Sequence, residues 1–285
     1  MSRVAYVNGA YEPHGRAVVH IEDRGYQFGD GVYEVWAVFN GKLADAEGHF
    51  TRLQRSLGEL QIVPPMGEAA LKIVLHEVLR RNRIRDGLLY LQITRGVARR
   101  DHVFPTSDTP PALVITARAT DPLAAALKAA KGIAVITLPE NRWGRCDIKT
   151  INLLPNILAK QAAKVVGAGE AWFVDADGMV TEGASSNAWI VDRNGRLRTR
   201  TTTANILRGV TRSTLMGVIA DSGLEVSEQP FTVEDAKAAR EAFITGAGAL
   251  VMPVTSIDGH ILGNGHPGAL ARRLRAAYLR VAAPD

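Results

Sequence analysis

The chain has 285 residues, 46% of them hydrophobic and 22% charged, the balance of an ordinary globular protein long enough for two modest domains. The formal charge of +5 is spread along the chain, and its densest cluster, Arg80-Arg81-Asn82-Arg83-Ile84-Arg85, ends a helical pattern where cations suit the helix C-terminus, so no nucleic-acid partner is expected. Cys146 is the only cysteine, no apolar run approaches the roughly 20 residues of a membrane span, and the first residues read as strand and turn rather than a leader; a cytoplasmic protein without a membrane partner is expected.

In chain order, residues 4–7 read as a strand closed by Asn8-Gly9, and 32–39 as a β-rich run closed by Asn40-Gly41. Phe50, Leu53, Leu57 and Leu60 give 49–60 a helical spacing, which 71–79 repeats. Strands are expected at 88–94 and 112–117. The segment 120–131 opens with Asp121-Pro122 and reads as an interdomain linker with room for a turn or two of helix. The second part begins with a strand at 132–138, followed by a helix at 156–166 and strands at 171–175 and 187–191. A helix at 211–222, strands at 225–229, 242–245 and 250–254, and a closing helix at 267–281 complete it. This mixture indicates an α+β (mixed α/β) enzyme of two domains: 1–119, a linker at 120–131, and 132–285.

Lys149 ends the stretch Arg142-Trp143-Gly144-Arg145-Cys146-Asp147-Ile148-Lys149. A lysine amine can form a Schiff base with an aldehyde cofactor. A carboxylate such as Glu182, in Val180-Thr181-Glu182-Gly183-Ala184-Ser185-Ser186-Asn187, can hold that cofactor's protonated pyridine nitrogen. Leu207-Arg208-Gly209-Val210-Thr211-Arg212 leads into a helix, and helix N-terminal amides with a threonine hydroxyl suit an anion. The turn at 245–249 can add backbone amides. His14, His20, His76, His260 and His266 are scattered, without metal-ligand spacing.

Cys146-Asp147-Ile148-Lys149 with Asn152-Leu153-Leu154, and the 181–187 stretch, resemble the two signatures of class IV aminotransferases, and the resemblance covers nearly the whole chain. The segment 23–35, Asp23-Arg24-Gly25-Tyr26-Gln27-Phe28-Gly29-Asp30-Gly31-Val32-Tyr33-Glu34-Val35, and the Arg100-x-His102 pair resemble the D-amino-acid branch. The resemblance implies a fold-type IV pyridoxal 5'-phosphate enzyme with a small N-terminal α/β domain and a larger C-terminal, β-barrel-like, cofactor-binding domain with helices. It implies ping-pong transfer through a Lys149 aldimine, between D-alanine or D-glutamate and the 2-oxo acids 2-oxoglutarate or pyruvate. Lys149 would be catalytic. Arg52, Lys149, Glu182, Ser185, Ser186, Leu207, Val210, Thr211, Ala247 and Gly248 would contact the cofactor, and Tyr33, Arg100 and His102 the substrate. A homodimer with shared sites is implied, because the Arg100 loop reaches over the neighbouring subunit. The chain departs from its relatives at Ala247 and Gly248, where hydroxyl residues are common, at Ala184, often serine, and at Arg99, often proline. An (R)-amine or branched-chain aminotransferase, or aminodeoxychorismate lyase, on the same scaffold is the alternative; a non-catalytic relative is disfavoured by Lys149, Glu182, Arg52 and Tyr33 together.

Overall fold

The computed structural model describes residues 3–203 and 205–282. The chain divides into two compact units: Met1–Asp121 with Ile148–Asn152, and Pro122–Asp147 with Leu153–Asp285.

The first unit is a six-stranded antiparallel sheet with helices. Its elements are β1 (Val4–Val7), β2 (Ala10–Pro13), α1 (Arg24–Phe28), β3 (Gly31–Phe39), β4 (Lys42–Leu43), α2 (Ala46–Glu59), α3 (Glu68–Asn82), β5 (Gly87–Thr94) and β6 (Ala112–Ala119). The strand order is β2-β1-β6-β5-β3-β4. Asn8 and Gly9 both take positive φ (44° and 101°), the backbone that a two-residue hairpin between β1 and β2 requires. Alternation along the strands sends Val32, Trp36 and Val38, and Leu89, Leu91 and Ile93, into one core. Phe50, Leu53 and Leu57 of α2 and Leu71, Leu75 and Val78 of α3 fill that core from the other side, at the spacing of a single helix face.

The second unit contains α4 (Pro122–Lys131), β7 (Ile133–Pro139), α5 (Leu154–Val165), β8 (Glu170–Val174), β9 (Val180–Gly183), β10 (Asn187–Val191), β11 (Leu197–Thr199), α6 (Val210–Asp221), β12 (Val226–Ser227), α7 (Val233–Lys237), β13 (Glu241–Gly246), β14 (Leu250–Ile257), β15 (His260–Ile261) and α8 (Ala269–Ala282). Its nine-stranded sheet runs β12-β11-β10-β13-β14-β7-β8-β9, with β15 on β14. The sheet is mixed: β7 runs parallel to both β14 and β8, whereas β10, β13 and β14 pair antiparallel. Trp172, Trp189, Phe231 and Phe243 are fully buried within the unit.

One expectation about domain organisation is refined and one changes. The segment 120–131, expected as an interdomain linker with a turn or two of helix, spans the boundary of the two units at Asp121 and holds the ten-residue helix α4, which buries Ala129. Residues 148–152, expected within the second domain, belong to the first unit. Their backbone pairs with β3: the Tyr33 amide donates to the Lys149 carbonyl (3.0 Å), the Ile151 amide donates to the Gly31 carbonyl (3.1 Å), and Thr150 bridges to Val32. Ile148 joins the core beside α2 and α3. No local pattern announces this pairing, because a five-residue insertion into a distant sheet carries no periodicity of its own. Among the described residues, no helix is long and apolar enough to cross a membrane.

Candidate active site

The residues singled out by sequence fall on both units. In the first, Lys149 is fixed through its backbone: its carbonyl accepts from β3, and its amide donates to the Ser56 hydroxyl (3.3 Å). Its Nζ lies 4.1 Å from the centroid of the Tyr33 ring, close enough for a cation–π contact. Tyr33 stacks on Tyr90, with centroids 5.7 Å apart, and burial and this neighbour push the Tyr90 phenol up to about 12.

Arg52 stands on α2, and its guanidinium is set by Glu34, the residue after Tyr33 on the opposite face of β3. Arg52 Nε and Nη2 donate to the two Glu34 oxygens at 2.8 and 2.7 Å, and His49 Nδ1 lies 2.7 Å from Oε2. Glu34 has no exposed surface. Burial by itself would raise its carboxyl, but the charge and hydrogen bonds of Arg52, with the bond from His49, hold it down at about 2. Burial pulls His49 below its ordinary range. Arg52 is therefore a cation held in a fixed plane by a partner that is ionised at neutral pH.

Arg100 and His102 sit on an exposed loop that leaves β5 after Thr94 and returns at Ala112. Both face the Phe28 ring, Arg100 at 5.1 Å and His102 at 5.6 Å from its centroid. Arg99 beside them is also exposed.

In the second unit, Glu182 is buried at the end of β9, with four hydrogen bonds from three donors. Arg142 Nη1 donates to Oε1 (2.6 Å), Asn187 Nδ2 to Oε2 (3.0 Å), and the Leu207 amide to both oxygens (3.1 and 3.2 Å). Burial pushes its carboxyl up, to about 7, with Arg142 pulling the other way. Arg142 is itself held by Glu140, through Nε to Oε1 (2.9 Å) and Nη2 to Oε2 (2.6 Å). It also lies over the Phe173 ring at 4.6 Å. Glu140 takes the Thr181 hydroxyl as well (2.8 Å). A chain of alternating charge, Glu140–Arg142–Glu182, thus ends on the carboxylate selected from sequence.

The hydroxyls of Ser185 and Ser186 both donate to Oε2 of Glu170 (2.9 Å each), a buried carboxylate whose other oxygen lies 3.2 Å from Lys160 Nζ. With their protons committed there, these side chains face any further ligand as acceptors. Gly209 precedes α6 with no side-chain cap, and among the described residues the first helical amide with a hydrogen-bond partner is that of Ser213. The amides of Val210 and Thr211 are therefore orphan donors at a positive helix end. Ala247 and Gly248 form the hairpin turn between β13 and β14, with the Ala249 amide donating back to Gly246 (3.1 Å).

Sequence reasoning gave no role to Glu34, Arg142, Glu140 or Glu170. Their partners lie partly or wholly at a distance along the chain, as Arg52 does from Glu34 and Glu182 from Arg142, so no local pattern shows the pairing. Their one available signal is a carboxylate at an inward position of a strand pattern, as at Glu34 between Val32 and Trp36. Among the described residues no group of histidine, cysteine or carboxylate side chains is placed to hold a metal ion. The first unit offers an amine on a fixed backbone and a fixed arginine, and the second offers a buried carboxylate braced by an arginine and an uncapped helix start; each is a donor type that suits part of a phosphorylated pyridine aldehyde.

The family model described as amino-transferase class IV matches residues 31–257. The chain is 42% identical over 270 residues to a D-alanine aminotransferase of Bacillus licheniformis, covering 95% of this chain and 94% of that one. It is 39% identical over 273 residues to a D-alanine aminotransferase of Staphylococcus haemolyticus, covering 96% and 95%. Among solved structures, the branched-chain amino acid aminotransferase of Escherichia coli is similar with a TM-score of 0.90 at 23% identity, covering 99% of this chain and 95% of that one, a likeness of fold.

Proposed function

Since the chain belongs to the class IV aminotransferases, we propose that it is a pyridoxal-phosphate-dependent D-amino-acid transaminase that exchanges amino groups between D-alanine or D-glutamate and pyruvate or 2-oxoglutarate. The observation that carries this reading is the identity to D-alanine aminotransferases along some 95% of the chain. The likeness to a branched-chain enzyme is one of fold and does not compete with it.

When bound, the cofactor supplies an aldehyde that takes up amines and a protonated ring that withdraws electrons from the substrate Cα. Lys149 would hold it covalently and, once its amine is free, move the proton off the substrate Cα. The paired backbone of 148–152 fixes where the Lys149 side chain begins, and its Nζ lies beside the Tyr33 ring. Glu182 would face the pyridine nitrogen as a carboxylate, and Arg142 favours that ionised form against the effect of burial. Arg52 and the amides of Val210, Thr211, Ala247 and Gly248 would take the phosphate; the last two offer main-chain donors in place of hydroxyls. The Leu207 amide is committed to Glu182, which leaves its side chain for the ring. Ser185 and Ser186 would complete the surround as acceptors. Tyr33, Arg100 and His102 would receive the substrate α-carboxylate, with the guanidinium fork of Arg100 suited to it. The exposure of Arg100 and His102 supports a homodimer in which this loop serves the neighbouring subunit's site.

The deciding experiment mixes the purified holoenzyme with single amino acids. D-alanine should bleach the visible absorption of the bound cofactor and L-leucine should not; the reverse pattern would assign the chain to the branched-chain alternative. Borohydride reduction and peptide mapping should find the cofactor on Lys149.

A further inference from the structure

Tyr33 is one residue of the segment 23–35, and the polar residues before it build something else. Asp23 caps α1, accepting from the Gly25 amide (2.8 Å) and the Thr94 hydroxyl (2.9 Å). Asp30 accepts from Arg24 Nε (2.8 Å) and from Arg95 Nε and Nη2 (2.7 and 3.0 Å). Burial would raise the Asp30 carboxyl, but the two arginines hold it below its ordinary range. The backbone joins the same pieces: the Arg24 amide donates to the Gly96 carbonyl (2.9 Å) and the Arg95 amide to the Asp30 carbonyl (3.1 Å). From this buried base, Arg24 Nη1 donates to the Asp101 carbonyl at 2.7 Å. Asp101 lies between Arg100 and His102, whose side chains both rest on Phe28, and the Arg24 guanidinium stacks on that same ring at 4.8 Å. Farther along the loop, Arg95 lies 3.6 Å from the Phe104 ring centroid.

We propose that Arg24, locked by Asp30, is the positioning residue of the carboxylate-reading loop: its hold on the Asp101 carbonyl sets how Arg100 and His102 are presented. This rests on the reading that those two side chains receive the substrate carboxylate. The loop has no regular structure and is largely exposed from Arg99 to Phe104, so its shape depends on few anchors. A buried guanidinium is a strong anchor because its planar fork can satisfy a carboxylate and a carbonyl at once; an ammonium of similar reach cannot hold both in one plane.

The test uses the half-reaction of the holoenzyme with D-alanine. Arg24→Met should raise the half-saturating D-alanine concentration by about tenfold or more, as expected for a displaced binding group, and leave the limiting rate within about threefold. Arg24→Lys, which keeps a charge beside Asp30, should fall between, and it carries the test if the methionine variant does not fold. Since Arg24 acts through Arg100 and His102, the double variant Arg24→Met/Arg100→Ala should lose clearly less than the product of the two single penalties, only the His102 share remaining to be lost. Trypsin should cut after Arg99 and Arg100 faster in Arg24→Met than in the parent. Multiplying penalties in the double variant, a lowered limiting rate with unchanged half-saturation, or unchanged cleavage would overturn the proposal. If Arg100→Ala weakens D-alanine saturation and Arg24→Met does not, this inference alone is lost; if Arg100→Ala has no effect either, the carboxylate reading falls with it.

Discussion

Replacing Glu34 by glutamine keeps the shape of the side chain and removes its charge where no water can compensate. In the protein the carboxylate serves Arg52 through two oxygens and His49 through one of them. The amide would turn a donor toward a guanidinium or imidazole that also donates. The fall of the Glu34 carboxyl from 4.5 to about 2 corresponds to about 3 kcal/mol of stabilisation. That overlaps the roughly 3–5 kcal/mol lost when one partner of a buried ion pair is removed. Urea unfolding at pH 7 should therefore show Glu34→Gln less stable by about 3 kcal/mol. Because the folded carboxyl lies below its unfolded value, this contribution is complete above about pH 4.5 and drains as pH falls toward 2. The difference between parent and variant should narrow by about 1 kcal/mol between pH 7 and pH 4. Glu34→Gln/Arg52→Met, which strands no charge, should recover part of the loss. A loss under about 1 kcal/mol at pH 7, or a difference that does not narrow on acidification, would refute the reasoning.

Lys149→Ala should keep the parent's unfolding profile yet yield no cofactor-labelled peptide after borohydride; a label on another lysine would remove Lys149 from its role. Cofactor affinity of the apoprotein should improve as pH rises through about 7, where Glu182 loses its proton, and Arg142→Met should move that rise to higher pH. An unmoved profile would mean Arg142 does not govern Glu182. Gly96 has φ of 97°, and a Cβ there would lie 2.0 Å from the Pro110 carbonyl oxygen, whereas Gly9, at φ 101°, has open space around it. Gly96→Ala should then cost clearly more than the roughly 1 kcal/mol expected for Gly9→Ala, as read by thermal unfolding; equal losses would refute the steric argument.

Elements with their own period were readable before any coordinates. The apolar spacing at Phe50, Leu53 and Leu57 identified α2, and the Asn-Gly pairs located the hairpins, because these signals lie within a dozen residues. The start of α6 was readable from its own helical pattern, whereas Lys149 and Glu182 were singled out as candidates from short stretches through a resemblance. The supporting charges were not. Arg142 meets Glu182, and Glu34 meets Arg52, only because strands and helices bring distant residues together. The motif at 23–35 drew attention to Tyr33, although Arg24 and Asp30 do as much structural work there. Helix α1, five residues long, is too short for a period to register, and the strand expected at 225–229 shrinks to the two residues of β12.

The chain passes from the first unit to the second after Asp121, returns for Ile148–Asn152, and leaves again at Leu153. Cutting the polypeptide once therefore cannot give two intact halves. A fragment ending at Asp121 would lack the backbone that pairs with the start of β3, and its complement would carry a stranded lysine. The same holds for recombination: exchanging the first unit with that of a relative at one crossover would marry a β3 from one parent to a lysine segment from the other. Three junctions are needed to keep Lys149 with the sheet it grew up on, which makes this short insertion the feature that ties the inheritance of the two units together.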